Sequence, residues 1–280
     1  MLDLTPFMRS LLCWFRCALA AMNDPNDSDL IIVGDGSQGL YTQNNITWKD
    51  LGINARGRTV YKKFDLDKNY RNSREIIDLA ALFSSPSNTN DAREEDGILS
   101  IHVDPNKCQR PTGIKPVLIK SNNRYEENTR ALKVVKDLLD GQWFGQSIKP
   151  LDPQTDPKSI GIFYPYISQQ DRSIFSDLLA GLNELCPAIW INKDRDSRRR
   201  ISEPGIKVQT IHSAKGLQYR AVILLWADHL PKPFGDYDEE ADRRLFYVAL
   251  TRAEDYLAIS ASSSSKFITE VDQSNKAILR

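Results

Sequence analysis

Apolar positions along the chain fall into two alternating kinds of run: short β-branched stretches bounded by Gly, Pro, Asn or Asp, and longer stretches with helical spacing. That alternation predicts α/β units arranged around a parallel sheet. The first helical pattern opens at Thr5 and Pro6, which suit an N-cap and a first helical position, and it ends near Pro25. Residues 29–33 (DLIIV) read as a buried strand that stops at Gly34, and residues 59–66 as a second. A helix is expected over residues 73–83, with Asn72 as its cap and Glu75 completing a capping box. Residues 84–113 hold no convincing period and are expected to form a long connection with one short strand at 98–103.

Strands then follow at 115–120, 159–164, 188–192, 207–211, 221–226 and 256–260, and helices at 124–139, 169–185 and 238–252. Between the helix at 124–139 and the strand at 159–164 lies a polar, Pro-rich linker, and residues 193–200 (KDRDSRRR) form a charged turn, either solvated or in contact with phosphate. No internal repeat is present.

Composition narrows the function classes. With 280 residues, 41% hydrophobic and 26% charged, the chain has material for a sizeable core, which argues against disorder. Lys and Arg number 37, as do Asp and Glu, so no global basic field draws in nucleic acid, and any DNA contact must be local. Cys13, Cys17, Cys108 and Cys186 form no C-x-x-C pair and have no His at zinc spacing, which points to free thiols in the cytoplasm and to no metal site. The apolar run at 11–22 is interrupted by Arg16 and falls short of the ~20 residues that cross a bilayer, so neither a signal sequence nor a membrane span is expected.

Four segments lie at expected strand ends, where open parallel sheets place ligands. In residues 33–41 (VGDGSQGLY), glycines allow a sharp turn from which Asp35 and Gln38 project, either towards a ligand or into local turn bonds. In Asn69-Tyr70-Arg71, an arginine fork suits an anion and the ring beside it suits a base; taken alone, the segment reads rather as a surface ion pair for Arg71 and a packed ring for Tyr70. Residues 208–219 (VQTIHSAKGLQY) make a polar loop able to grip a phosphodiester through Thr210, Ser213, Lys215 and the Gly216 backbone. Lys215 precedes Gly216, so this is not a nucleotide P-loop, and His212 has no nucleophile partner and reads as an orienting hydrogen-bonder. In residues 243–253 (RRLFYVALTRA), Arg244, Val248 and Arg252 share a helical face, which would carry Arg252 to a cleft or leave it as a solvent-facing helix-end arginine.

Together, in this order and spacing, the four segments resemble the later motifs of the UvrD/Rep-type superfamily-1 DNA helicases over essentially the whole chain. Residues 33–41 are similar to the family's G-D-x-x-Q-x-I-Y element, 69–71 to N-Y-R, 210–217 to T-x-H-x-x-K-G-L and 247–253 to Y-V-A-x-T-R-A. The resemblance implies a RecA-like parallel sheet flanked by helices over residues 63–280, the second motor lobe, preceded by part of a first RecA-like lobe over residues 1–62. It implies that Gln38 senses the ATP γ-phosphate, that Tyr70 stacks on adenine, and that Arg71 and Arg252 act as arginine fingers, with Gln218 also near the nucleotide. Tyr41, Thr210, His212, Ser213, Lys215 and Gly216 would face single-stranded DNA.

The chain departs from the family in three ways. No Gly-Lys-Ser/Thr occurs in it. ATP with Mg²⁺ is therefore expected only if an upstream segment, supplied in the same or a separate chain, provides the phosphate cradle. Gln218 stands where the family has Glu, and the interval between Arg71 and Thr210 leaves little space for the large inserted subdomain of longer relatives. The expectation is the C-terminal ATP- and DNA-contacting part of a 3′-to-5′ DNA helicase, inactive alone. Its rival is a non-catalytic DNA- or partner-binding module that keeps the fold. A hydrolase or nuclease finds no clustered carboxylates and no nucleophile–base pair.

Overall fold

In the computed structural model the described residues are 69–84, 105–110, 113–194, 196–233 and 238–280. The elements expected before residue 69 and the strand expected at 98–103 lie outside them. The described strands are β1 (Val117–Lys120), β2 (Gln142–Trp143), β3 (Gln146–Ser147), β4 (Ile160–Tyr164), β5 (Ala188–Trp190), β6 (Ile206–Thr210), β7 (Tyr219–Leu224), β8 (Ala253–Ala261) and β9 (Ile278–Leu279). The helices are α1 (Arg74–Ala80), α2 (Arg124–Leu139), α3 (Arg172–Leu185), α4 (Glu239–Leu250) and α5 (Lys266–Gln273).

Seven strands form one sheet in the order β5-β6-β4-β7-β8-β1-β9, every neighbouring pair parallel. The interior strand β4 (IGIFY) is buried at every position, as a strand covered on both faces must be. Its alternate side chains Ile160, Ile162 and Tyr164 pack with Val134, Val135 and Leu138 of α2 and with Phe175, Leu178 and Leu182 of α3. Phe83, Phe246 of α4 and Phe267 of α5 form a separate ring cluster with centroids 4.5 to 5.4 Å apart, and the Arg243 guanidinium lies over two of these rings while pairing with Glu270 at 2.6 Å.

A buried carboxylate ties α2 to the sheet. Glu127 accepts hydrogen bonds from Ser260 Oγ (2.6 Å) and from the Trp226 backbone N–H (2.9 Å), and it pairs with Arg124 (2.7 Å), which also grips Asp228. Burial pushes the Glu127 carboxyl up from its ordinary range, and Arg124 works against that push. Glu127 thereby pins the ends of β7 and β8 to one helix.

Several expectations need correction. Ser73, not Asn72, is the N-cap residue of α1, and it makes no side-chain cap bond. Glu75 closes no capping box, because its carboxylate accepts from the Gly113 N–H at 2.8 Å. The stretch expected to be only a Pro-rich linker holds the β2-β3 hairpin, whose turn takes positive φ at Phe144 (45°) and Gly145 (88°). Part of the charged turn winds into a 3₁₀ helix at Ser197–Ser202, and α5 and β9 lie beyond the last element the periodicity suggested.

Lys207 of β6 is fully buried, its ammonium donating to the carbonyls of Glu203 and Gly205. Burial pulls its pKa from 10.5 down to about 8, against an opposing pull from Glu203. Between those two values the unfolded chain binds more protons than the native one, so this group makes stability rise with pH across that window. Urea unfolding of the wild type should show such a rise, up to about 3 kcal/mol, from pH 8 to 10.5, relative to Lys207→Met, which should lack it.

Candidate functional site

The sequence-predicted site residues sort onto two opposite edges of the sheet. Gln218 and Arg252 immediately precede β7 and β8, and Tyr219 pairs with Ala253, so both sit where these parallel strands begin. Asn69-Tyr70-Arg71 lies at the same edge, because the Ser73 N–H donates to the Glu254 carbonyl at 2.9 Å. The 210–216 loop starts instead where β6 ends. Among the segments within the described residues, the expected place beyond the strand ends therefore holds for the loop alone. Gln38 and Tyr41 lie outside the described residues.

At the first edge the chain leaves α4 at Leu250 and enters β8 at Ala253, with only Thr251 and Arg252 between. A turn this short and this buried leaves carbonyls that must find donors. Asn72, itself 3% exposed, supplies two: its side-chain amide donates to Thr251 O at 2.9 Å and Ala253 O at 2.5 Å. The Tyr219 N–H takes the intervening Arg252 carbonyl at 2.9 Å. Asn69 orients Asn72 in turn, donating to its Oδ1 (3.0 Å) and accepting from the Arg71 and Asn72 N–H groups at 2.8 and 3.0 Å. Arg110 completes the frame, bonding the Arg71 carbonyl and Asp255, both at 2.6 Å. The segment carrying Arg71 and the turn carrying Arg252 are thus locked together.

The two arginines differ in state. Arg71 is exposed and makes no ion pair among the described residues, and the Tyr70 ring is 65% exposed rather than packed. Arg252 lies beyond the end of α4, so it does not ride the helical face with Arg244, which pairs with Glu240 at 3.1 Å. It is 3% exposed, and its guanidinium donates to Val248 O (3.1 Å), Leu217 O (3.3 Å) and Thr251 Oγ1 (3.2 Å). Those bonds tie α4, the end of the 210–217 loop and the turn to one planar group.

At the second edge, residues His212–Ala214 form a 3₁₀ turn after β6. The Thr210 N–H donates to Asn192 Oδ1 (2.8 Å), and Asn192 Nδ2 donates to Ser213 Oγ (2.7 Å). The Thr210 and Ser213 hydroxyls lie 3.1 Å apart, and the Ser213 N–H reaches Thr210 Oγ1 at 3.3 Å. Burial, joined by Lys232, lowers the His212 pKa against Asp242, which favours the neutral ring and suits a hydrogen-bonding role. Lys215 and Gly216 are exposed; Gly216 takes φ +81°, and a Cβ there would meet nothing within 4 Å.

Sequence reasoning missed Asn72 and Asn192 as parts of these sites. Asn72 carried a signal, its place beside Asn69-Tyr70-Arg71, but the local pattern favoured a helix cap. Asn192 carried none beyond closing a predicted strand. A groove of about 560 Å³, lined by Ile119, Lys133, Phe144 and Arg280 among others, includes none of the predicted residues. Among the described residues no group of three or more His, Cys, Asp or Glu could hold a metal ion, and no helix is long and apolar enough to cross a membrane.

The parallel α/β sheet thus carries arginine-bearing segments at one edge and a hydroxyl-, Lys- and Gly-bearing loop at the other. Residues 160–264 match the family model for the UvrD-like helicase C-terminal domain. The chain is 26% identical over 169 residues to a probable DNA helicase II homolog of Mycoplasma capricolum, covering 53% of this chain and 23% of that protein. It is 32% identical over 92 residues to the ATP-dependent DNA helicase PcrA of Staphylococcus aureus strain MRSA252, covering 26% of this chain and 13% of that protein. A solved structure, the C-terminal domain of a possible DNA helicase from Lactobacillus plantarum, aligns with a TM-score of 0.46 at 17% identity, covering 75% of this chain and 98% of that one. Residues 160–264 are thus similar to the C-terminal domain of UvrD-like helicases, and the chain spans less than a quarter of the length of either curated relative.

Asn72→Ala should cost about 2–3 kcal/mol in urea unfolding, because it strands two buried carbonyls. The isosteric Asn72→Asp, which sets a carboxylate against the same carbonyls, should cost at least as much. A loss below about 0.5 kcal/mol for either would show that the clamp contributes little.

Proposed function

We propose that this chain is the ATP- and single-stranded-DNA-contacting C-terminal part of a 3′-to-5′ DNA helicase, with residues 63–280 as the second RecA-like lobe and residues 1–62 as part of the first. The observation that carries the reading is the Asn72 clamp, which holds the segments of Arg71 and Arg252 at one sheet edge while the Thr210–Ser213 loop occupies the other. An ATP γ-phosphate presented to the first edge would meet Arg71 and Arg252, with Gln38 as its sensor and Gln218 nearby, and its adenine would meet the exposed Tyr70 ring. Arginines so placed offset the charge that develops on the transferred phosphoryl group. Single-stranded DNA at the second edge would be held through its backbone by Thr210, His212, Ser213, Lys215 and Gly216, with Tyr41 stacking on a base.

The exposed Tyr70 ring and Arg71 guanidinium suit the base and γ-phosphate side of a nucleotide. They do not supply a Mg²⁺–phosphate cradle: no Gly-Lys-Ser/Thr occurs in the chain. That part must come from an upstream segment, in the same polypeptide or as a separate partner. A DNA substrate and the free thiols Cys108 and Cys186 support a cytoplasmic setting.

One observation favours a second reading, a non-catalytic DNA-binding module that keeps the fold: the Arg252 guanidinium is committed to Val248, Leu217 and Thr251. ATP hydrolysis with and without oligothymidylate separates the two. The helicase reading expects near-background turnover from this chain alone and DNA-stimulated turnover once a phosphate-binding upstream lobe is supplied. Arg71→Ala and Arg252→Ala should then each lower that turnover by roughly 10³-fold. Robust turnover by the short chain overturns the proposed division of labour. DNA binding that survives Arg252→Ala, with no ATP binding under any condition, favours the module.

A further inference from the structure

The hydrogen bonds around Ser213 point to a property of the second edge beyond its being polar. Thr210 N–H is only a donor, so the Asn192 atom it meets is the amide oxygen, and the Asn192 group facing Ser213 must be the NH₂, again only a donor. Ser213 Oγ therefore accepts from Asn192, and it also accepts from the Thr210 hydroxyl at 3.1 Å. Thr210 Oγ1 accepts the Ser213 N–H in its turn. Both lone pairs of Ser213 Oγ are then engaged while its own hydrogen is not. Reversing the hydrogen bond between the two hydroxyls merely passes the leftover hydrogen to Thr210. Either way the pair keeps one hydroxyl whose accepting capacity is spent and whose remaining function is to donate.

We propose that Asn192 is a positioning residue that turns the Thr210–Ser213 pair into an outward hydrogen-bond donor for a phosphodiester oxygen of single-stranded DNA. The inference rests on the reading of this loop as the DNA-facing edge. A phosphodiester oxygen only accepts, so a hydroxyl fixed as a donor matches it, whereas a freely rotating hydroxyl must first give up its bonds to water and neighbours. The exposed ammonium of Lys215 lies two residues on and supplies the charge that such a contact needs. Asn192 reaches the loop from the turn just past β5, a different strand, so the donor is held by the sheet rather than by the loop's own backbone.

The test is a double-mutant cycle read by fluorescence anisotropy of labelled oligothymidylate at fixed salt, with thermal melts to confirm folding. Ser213→Ala should weaken binding by about tenfold, the size of a lost hydrogen bond to a charged group. Asn192→Asp keeps the shape but demands the Ser213 hydrogen for itself, and it should weaken binding at least as much. Its effect should be larger in the otherwise unaltered chain than in one already carrying Ser213→Ala, by about fivefold, because interacting residues are not additive. Added negative charge alone would act equally in both backgrounds, and equal effects overturn the proposal. If Asn192→Asp fails to fold, Ser213→Ala decides, and unchanged affinity in that variant overturns the proposal. Lys215→Ala separates the two levels of inference. Weakened binding in Lys215→Ala beside an additive cycle removes the role of Asn192 and leaves the DNA-facing edge. Absence of binding by the unaltered chain removes both.

Discussion

The structure depends on satisfying four consecutive buried or half-buried carbonyls, from Thr251 to Glu254, where a helix becomes a strand with two residues between them. Asn72 takes the first and third, the Tyr219 N–H the second and the Ser73 N–H the fourth. An unpaired buried carbonyl costs about 1–3 kcal/mol, so a polar partner brought from far along the chain stabilises this turn. That partner is the segment bearing Tyr70 and Arg71. The requirement that stabilises the turn therefore also brings the segment bearing Arg71 beside the turn bearing Arg252.

The two proposed ligand edges are joined by a single stretch. After β6 the chain passes over β4 to reach β7, covering residues 211–218 without a full helix. Parallel connections usually take a dozen or more residues, so this one is short, and both its ends are fastened. Asn192 holds the beginning through Thr210 and Ser213, and the Arg252 guanidinium holds Leu217 near the end. Gly216, at positive φ in open space, is the one place between them where the backbone turns outside the conformations that other residues prefer. On the proposed reading, a nucleotide at one edge and DNA at the other would act on opposite ends of the same short connection.

Much of the fold was legible in the chain because its elements carry strong periodicity. Helix α2 occupies the bounds its pattern predicts, and β4, β6 and α4 lie within two residues of theirs. Legibility failed where long-range contacts outweighed local preference. Asn72 has the makings of a helix cap, yet two carbonyls some 180 positions away claim its amide. Arg252 extends the four-residue spacing of Arg244 and Val248, but the helix stops at Leu250 and the guanidinium turns inward. The β2-β3 hairpin depends on a turn with positive φ at Phe144, a residue that does not advertise that conformation. For the site, residue identities were legible and their arrangement was not, since no spacing rule tells which edge of a sheet a loop will occupy.

The joint between α4 and β8 has a mechanical consequence. Two fully bonded residues leave no slack, so an axial displacement of the helix is delivered to a strand in the middle of the sheet rather than absorbed by a compliant linker. The sheet would respond as a stiff plate loaded at one rim, and α4 would behave as a push-rod whose stroke is set by how far hydrogen bonds can stretch before they break.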